Sequence, residues 1–269
     1  MSQVTNISSP EFLRVTLVQT DIYWEDIPAN LAHLEEKLAQ LTGQTDLIIL
    51  PEMFSTGFTM TPENVAEPLN LVTTRWMRQM ALGTNAMILG SYVAREGTHF
   101  YNRLLAVYPD GTYVYYDKRH LFRMGGENEV YTPGKERVTL EWRGFKIRPY
   151  ICYDLRFPVW SRNKIDAPYD LLVYVANWPS SRDVVWETLL RARAIENLAY
   201  VAGANRIGID GNNVTYIGNS QIIDFKGQLL GKLTDKDEIL TIALSKAALE
   251  NFRTKFPAHL DADPFEILG

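Results

Sequence analysis

The sequence has 269 residues, of which 27 are Lys or Arg and 32 are Asp or Glu, so its formal net charge is −5. This length suits one large α/β domain or two small ones, and a mildly acidic chain without a basic cluster is a poor candidate for a nucleic-acid-binding protein. The longest purely apolar run, 171–176, has six residues, whereas a membrane-spanning helix needs about 20.

The chain contains a single cysteine, Cys152, so an intrachain disulfide is impossible. The first thirteen residues contain neither Lys nor Arg and form no apolar core, so we expect no signal peptide and a cytoplasmic location. No linker, low-complexity tract or repeat interrupts the chain. We therefore predict one domain over 1–269, with a loose N-terminal tail at 1–10 and a C-terminal arm at 256–269.

The first part of the chain is predicted to alternate between strands and helices. In order, these elements are a strand at 12–19, a helix at 27–41, a strand at 46–50, a helix at 69–82 and a strand at 86–93. Leu31, Leu34, Leu38 and Leu41 recur at helical spacing in the first helix. A β-α-β-α-β order is typical of a layered α/β fold.

The remainder mixes hairpins with further α/β units. β-rich runs at 100–107 and 112–116 flank a turn at 109–111, and runs at 138–142 and 145–152 flank Arg143-Gly144, which predicts two hairpins separated by a loop at 117–136. Further strands are predicted at 171–175, 199–205, 220–225 and 238–244, and helices at 182–198 and 246–255. This order suggests two packed sheets with helices outside.

Cys152 is the first candidate for chemistry, because it ends an apolar strand and precedes a polar turn at 153–156. A free cysteine is often a buried structural residue, but a side chain at the carboxyl end of a strand in an α/β fold points into the usual catalytic crevice. A nucleophilic thiolate needs help to form, since a free thiol titrates near about 8.5. Cys152 alone leaves both interpretations open.

Two other residues have comparable positions. None of the four histidines has a recognisable nucleophile-partner context, but Glu52 follows a buried strand, where it is either a solvated loop residue or part of an active site. Lys118 follows another predicted strand. It is either a surface lysine, the commonest case, or a cation that lowers the pKa of the thiol and stabilises an oxyanion.

Three segments, taken together, resemble the Glu, Lys and Cys signatures of the nitrilase superfamily of carbon–nitrogen hydrolases. They are Leu50-Pro-Glu52, Tyr116-Asp-Lys118-Arg-His-Leu-Phe122 and Ile151-Cys152-Tyr-Asp-Leu-Arg-Phe-Pro158, in the order of that family and with 66 and then 34 residues between the three key side chains. The resemblance extends over roughly 13–265. It is nearest to the bacterial ω-amidases, through Pro51-Glu-Met-Phe-Ser-Thr-Gly-Phe58, the loop that ends at 131–134 and the tail that begins at Phe256.

This resemblance implies a four-layer α-β-β-α sandwich that forms a dimer or larger assembly. It also implies that Glu52 is the general base, Lys118 the oxyanion donor and Cys152 the nucleophile. The family often has a second glutamate after the lysine. Glu127 matches it, with Glu129 as a nearby competitor.

The resemblance further implies that a short dicarboxylate monoamide, such as 2-oxoglutaramate or 2-oxosuccinamate, is hydrolysed through a thioester on Cys152, without metal or cofactor. Alternatives are another amidase of the superfamily (acting on deaminated glutathione), a carbamoylase, a nitrilase or a non-catalytic scaffold. Candidate substrate contacts are the backbone N–H of Tyr153, Arg156 for the distal carboxylate, and Phe122 and Trp178 as pocket walls. The competing interpretations are a salt bridge from Arg156 to Asp154 or Glu196, and core packing for the two aromatic residues.

Overall fold

The computed structural model describes residues 11–267. The predicted tail at 1–10 and the last two residues of the predicted arm, 268–269, lie outside this part of the chain. The strands are β1 (Phe12–Gln19), β2 (Leu47–Ile49), β3 (Met87–Glu96), β4 (His99–Val107), β5 (Tyr113–Asp117), β6 (Leu140–Trp142), β7 (Phe145–Ile151), β8 (Leu171–Ala176), β9 (Tyr200–Asn205), β10 (Ile207–Ile209), β11 (Thr215–Ile217), β12 (Gln221–Ile223), β13 (Leu229–Lys232) and β14 (Glu238–Ser245). The α-helices are α1 (Ile27–Ala39), α2 (Val72–Thr84), α3 (Glu127–Val130), α4 (Pro158–Ser161), α5 (Asp183–Asn197) and α6 (Lys246–Lys255).

The strands form two six-stranded sheets and a small β10–β11 ribbon. The first sheet has the order β14-β1-β2-β3-β4-β5, and the second has the order β13-β12-β9-β8-β7-β6. At the centre of the first sheet β1, β2 and β3 are parallel, and in the second sheet β7, β8 and β9 are parallel. Because β4 is antiparallel to both β3 and β5, the strand β5 runs in the same direction as β2.

The alternation of side chains along the strands builds the layers. Leu47 and Ile49 of β2 enter the core between the two sheets, whereas Ile48 packs in a second core beneath α1 and α2, as expected for a period of two residues. On the other side, α5 packs against β9 and β12. The expected sandwich is confirmed: two sheets are packed together and flanked by helices.

Local sequence signals explain where several elements begin and turn. Asp26 caps α1 by accepting a hydrogen bond from the backbone N–H of Ala29 at 3.0 Å, and the buried face of α1 is made by the leucines that recur at helical spacing. Arg143 and Gly144 both have positive φ, at 49° and 77°, which is the two-residue turn that matches the twist of a hairpin. Both predicted hairpins are confirmed.

The differences from the sequence-based expectations concern short elements and helix ends. The helix α1 ends at Ala39, before the predicted end at 41, and α2 spans Val72–Thr84 rather than 69–82. The strands β10, β11 and β13 have three or four residues each, which is too few for a periodic signal. Among residues 11–267, no helix combines the length and the apolar character needed to cross a membrane.

Candidate active site

The candidate catalytic residues meet where strands of both sheets end. Lys118 directly follows β5, and Glu52 follows the end of β2 at the same edge of the first sheet, because these strands run in the same direction. Cys152 and Asn177 directly follow the parallel strands β7 and β8 of the second sheet. Packing of the two sheets brings these strand ends together in one buried cluster.

Lys118 lies between two carboxylates inside this cluster. Its Nζ donates to Glu52 Oε1 at 2.8 Å and to Glu127 Oε1 and Oε2 at 3.0 and 2.9 Å. All three side chains are fully buried. Glu129, two residues further along α3, is exposed, so the structure places Glu127 beside the lysine and leaves Glu129 in solvent.

Two asparagines that were not among the predicted site residues complete the cluster. Asn102 Nδ2 donates to Glu52 Oε1 at 2.8 Å and to Glu127 Oε1 at 3.0 Å. Asn177 uses its backbone N–H to donate to Glu52 Oε2 at 2.8 Å, and its Nδ2 donates to the Glu52 carbonyl at 2.6 Å. Both oxygens of Glu52 are therefore held in place, and each buried carboxylate has several donors, as burial of a charge requires.

Cys152 adopts an unusual backbone conformation at the start of a tight helical turn over Cys152–Arg156. Its φ is +42°, which is uncommon for a residue other than glycine and occurs often at functional sites. Its Sγ lies 3.9 Å from the carbonyl oxygen of Asn177. Burial raises the pKa of this thiol well above its ordinary value, and the negative charge of Glu52 raises it further.

The pKa shifts of the neighbouring groups describe a tightly coupled cluster. Burial by itself lowers the pKa of Lys118, but the charges of Glu127 and Glu52 outweigh burial, and the pKa is raised. Burial raises the pKa of Glu127, and the ammonium group of Lys118 opposes that shift. These shifts favour the charged form of Lys118 and the neutral form of the Cys152 thiol.

Asp154 ties the nucleophile turn to the loop that carries Lys118. Its buried carboxylate accepts hydrogen bonds from the backbone N–H groups of Ile151 and His120 at 3.0 Å each, from His120 Nδ1 at 2.8 Å and from the hydroxyl of Tyr116 at 2.7 Å. His120 lies two residues after Lys118, and Ile151 directly precedes Cys152. This one carboxylate thus fixes the distance between the two segments.

A cavity of about 560 Å³ opens above the cluster. The side chains of Glu52, Lys118 and Cys152 face it, whereas Glu127 is not among its lining residues. The candidate substrate contacts also line it, namely Phe122, Tyr153, Arg156 and Trp178. Among residues 11–267, no three His, Cys, Asp or Glu side chains are grouped in a way that could hold a metal ion.

The sequence of this chain is similar to those of known proteins. The profile of the carbon-nitrogen hydrolase family matches residues 14–254. The chain belongs to the carbon-nitrogen hydrolase family. It is 49% identical over 258 residues to the Omega-amidase YafV of Escherichia coli (strain K12), with 95% of this chain and 98% of that protein covered.

Two further comparisons describe this carbon-nitrogen hydrolase. It is 28% identical over 250 residues to the 2-oxoglutaramate amidase of Bacillus subtilis (strain 168), covering 92% of this chain and 96% of that one. A crystal structure of a CN-hydrolase superfamily protein from Xanthomonas campestris, with an arsenic adduct in its active site, superposes with a TM-score of 0.94 at 46% identity, covering 97% of this chain and 100% of that chain. The family and the nitrilase-type fold are therefore those expected from the sequence.

The cavity of this hydrolase contains a second arginine that the sequence analysis missed. The guanidinium of Arg156 lies 5.2 Å from the ring centre of Trp178, and that of Arg182 lies 5.2 Å from the ring centre of Phe122. Neither expected salt bridge of Arg156 is present, because Asp154 bonds to the groups described above and Glu196 pairs with Arg193 at 3.0 Å. The alternative interpretation of Arg156, a salt bridge to Asp154 or Glu196, is therefore wrong. The sequence predicts Arg182 only as the first residue of the helix at 182–198.

Proposed function

We propose that this carbon-nitrogen hydrolase removes the terminal amide of a short dicarboxylate monoamide, such as 2-oxoglutaramate or 2-oxosuccinamate, to give the acid and ammonia. The observation that carries the proposal is the position of the Cys152 thiol, which lines the cavity next to the buried cluster of Glu52, Lys118 and Glu127. The names of the relatives in Escherichia coli and Bacillus subtilis support the same substrate class.

The charges of the cluster explain how the nucleophile forms. With both carboxylates ionised and Lys118 protonated, the cluster has a net charge of −1, and a thiolate added to it would be costly. Transfer of the thiol proton to Glu52 removes one negative charge as it creates another, so the net charge does not change. Glu52 thus acts as the general base, and Glu127 keeps the ammonium group of Lys118 in position.

The reaction then passes through a covalent intermediate. The thiolate of Cys152 attacks the amide carbonyl, and the oxyanion is stabilised by the ammonium group of Lys118 and the backbone N–H of Tyr153. Glu52 returns the proton to the nitrogen, the C–N bond breaks, and ammonia leaves. A water molecule that Glu52 deprotonates attacks the thioester, which releases the acid and restores the thiol.

The two arginines of the cavity suit a substrate with a distal carboxylate. Arg156 and Arg182 both line the cavity. Each guanidinium lies over an aromatic ring that also lines the cavity. A guanidinium binds a carboxylate through two parallel N–H donors. We therefore propose that one or both arginines bind the far carboxylate, with Phe122 and Trp178 as apolar walls.

The substrate class can be tested by measuring ammonia release from a panel of compounds. We expect kcat/KM for 2-oxoglutaramate to exceed that for the neutral amide butyramide by at least about tenfold, because a neutral amide leaves charged donors unpaired and each 1.4 kcal/mol corresponds to a factor of ten. Equal turnover of butyramide or of a simple nitrile would contradict the proposed substrate class. Such a result would not contradict the proposed catalytic roles of Glu52, Lys118 and Cys152.

Replacing Arg182 with glutamine should raise KM for 2-oxoglutaramate by about tenfold or more, because one ionic contact to the distal carboxylate is lost. Turnover of butyramide should not change. Arg156→Gln is expected to act in the same direction. Arg75→Gln, on the exposed face of α2, is the matched control. If neither cavity variant changed KM for the acid amide more than this control, the arginines would have no role in substrate binding.

We also propose that residues 1–269 form one hydrolase domain that works as a cytoplasmic homodimer. The shared core of the two sheets supports one domain, and a thiol nucleophile suits a reducing compartment.

Exposed apolar side chains on α5 and in the arm favour burial of these surfaces against a second copy of the chain. They are Val184, Ile195, Phe256 and Leu260. Light scattering should therefore give about twice the chain mass of 30.7 kDa, and a monomer mass at micromolar concentration would contradict the dimer.

A further inference from the structure

A second pocket, of about 360 Å³, lies outside the active-site cavity and shares no lining residue with it. Its lining is unusual in a protein whose net charge is −5, because four of its side chains are basic and one is acidic. The basic side chains are those of Lys135, Arg137, Arg148 and Lys164, and the acidic one is that of Glu136. We call this group the basic pocket.

Arg148 is the fixed element of the basic pocket. Its side chain is almost completely buried, and its guanidinium lies 4.8 Å from the ring centre of Tyr169. The Nε and Nη2 atoms donate to Thr139 Oγ1 at 3.2 and 2.9 Å, and Nη2 also donates to the carbonyl of Ala167 at 3.0 Å. Each of these acceptors is neutral, so within residues 11–267 the buried positive charge has hydrogen bonds but no carboxylate partner.

Arg137 supplies a second guanidinium. It lies 5.4 Å from the ring centre of Trp160, which also lines the basic pocket. Its Nη1 atom is buried and has no hydrogen-bond partner within the described part of the chain. An unpaired buried donor costs about 1–3 kcal/mol, and more when it is charged, so a site of this kind gains stability when an acceptor enters it.

Lys164 borders the same space, and its partners among residues 11–267 are neutral groups. Its Nζ donates to the carbonyl of Phe265 at 2.7 Å and lies 4.4 Å from the ring centre of that residue. The pocket therefore combines two guanidinium groups and two ammonium groups around an aromatic wall. Guanidinium groups match oxyanions with paired N–H donors, and the excess of positive charge favours a ligand with more than one negative charge.

We propose that the basic pocket is a binding site for a small oxyanion with at least two negative charges, of the phosphate or dicarboxylate class. Arg137 and Arg148 bind its oxygens, and Lys135 and Lys164 supply further positive charge. The site is separate from the proposed catalytic function and does not depend on it. One wall is nevertheless connected to the active site, since Trp160 Nε1 donates to the hydroxyl of Tyr116 at 3.1 Å, and that hydroxyl donates to Asp154.

Isothermal titration calorimetry at constant ionic strength tests the proposal, with inorganic phosphate in one arm and malonate in the other. The titrations use the Arg156→Gln/Arg182→Gln double variant of the full chain, so that anion binding in the active-site cavity does not contribute. We expect at least one of the two anions to bind with a Kd of about 1 mM or lower. The arm that binds identifies the class of anion.

Variants of the pocket connect the binding to its residues. On the same background, Arg137→Gln and Arg148→Gln should each weaken binding by about tenfold or more, whereas Lys255→Gln, an exposed lysine of α6, removes the same charge elsewhere and should change nothing. Because Arg148 is buried and its variant could unfold, the half-buried Arg137 and Lys164 provide the decisive variants. Absence of binding of both anions up to about 10 mM, or equal binding by Arg137→Gln, Lys164→Gln and the Lys255→Gln control, would overturn the proposal.

Discussion

Replacing Cys152 with alanine should lower kcat for amide hydrolysis by at least about a thousandfold and leave the fold intact. The thiol is the only proposed nucleophile, and loss of one member of a catalytic unit removes nearly all of the acceleration that the unit provides. The structural cost is small, because the side chain is short and its hydrogen bond from Sγ to the carbonyl of Asn177 is long at 3.9 Å. We expect the free energy of unfolding to change by about 1 kcal/mol or less.

Ammonia release and thermal unfolding of the same samples check this prediction. Alanine retains the Cβ atom, so the positive φ at this position costs the variant no more than it costs the native chain. Cys152→Ser, which keeps a hydroxyl in place of the thiol, is the closest matched variant and should also be almost inactive. Near-normal turnover by folded Cys152→Ala would refute thioester chemistry.

Replacing Glu52 with glutamine should lower kcat by at least about a hundredfold, because the amide cannot accept the thiol proton. It also disturbs the cluster. The two carboxylate oxygens receive hydrogen bonds from Lys118, Asn102 and the backbone N–H of Asn177. In the variant, an NH₂ group replaces one of these oxygens, so two hydrogen-bond donors would face each other. A loss of stability of about 1–3 kcal/mol is therefore expected as well.

Two comparisons separate the loss of the base from the loss of stability. Glu129→Gln changes an exposed carboxylate near Glu127 and should leave both kcat and the unfolding temperature unchanged. The double variant Glu52→Gln/Cys152→Ala should keep at least the activity of the less active single variant. The effects of the two substitutions do not add, because the two groups act as one unit. Retention of more than about a tenth of kcat by folded Glu52→Gln would remove Glu52 from its role as the base.

The individual positions of the key residues could be predicted from the sequence because each follows a recognisable strand. Glu52 comes after an apolar run that ends at a proline, Lys118 after the second strand of a hairpin, and Cys152 after a long apolar strand. Such local patterns depend only on residues that are close in sequence, so they can be recognised without the fold. In the structure, β2, β5 and β7 end near these three positions. The resemblance to the carbon-nitrogen hydrolases supplied what the pattern lacked, which is the reason to group these three residues.

The partners that hold the cluster together could not be predicted, because they depend on packing between the sheets. Asn102 lies inside β4, where an asparagine is disfavoured, and this was its only local signal. Asn177 binds the Glu52 carboxylate through its backbone N–H, which carries no residue-type information, and its side chain binds only the Glu52 carbonyl. Arg182 appears in the sequence as the first residue of a helix, and only the folded chain brings it over the ring of Phe122.

The choice between Glu127 and Glu129 shows the same limit on a smaller scale. The sequence predicts a loop over 117–136, but residues 127–130 form the short helix α3. Residues two positions apart on a helix point in different directions, so Glu127 faces Lys118 while Glu129 faces solvent. A short turn of four residues has no periodicity that would predict this orientation.

The most direct test of covalent catalysis is intact-protein mass spectrometry of the enzyme mixed with 2-oxoglutaramate and quenched in acid at times from milliseconds to seconds. We expect that the native chain gains the mass of one 2-oxoglutaryl group, that the modified residue is Cys152, and that Cys152→Ala gains none. Ammonia release by the native chain at full rate with no acyl adduct at any quench time, or with an equal adduct on Cys152→Ala, would contradict it.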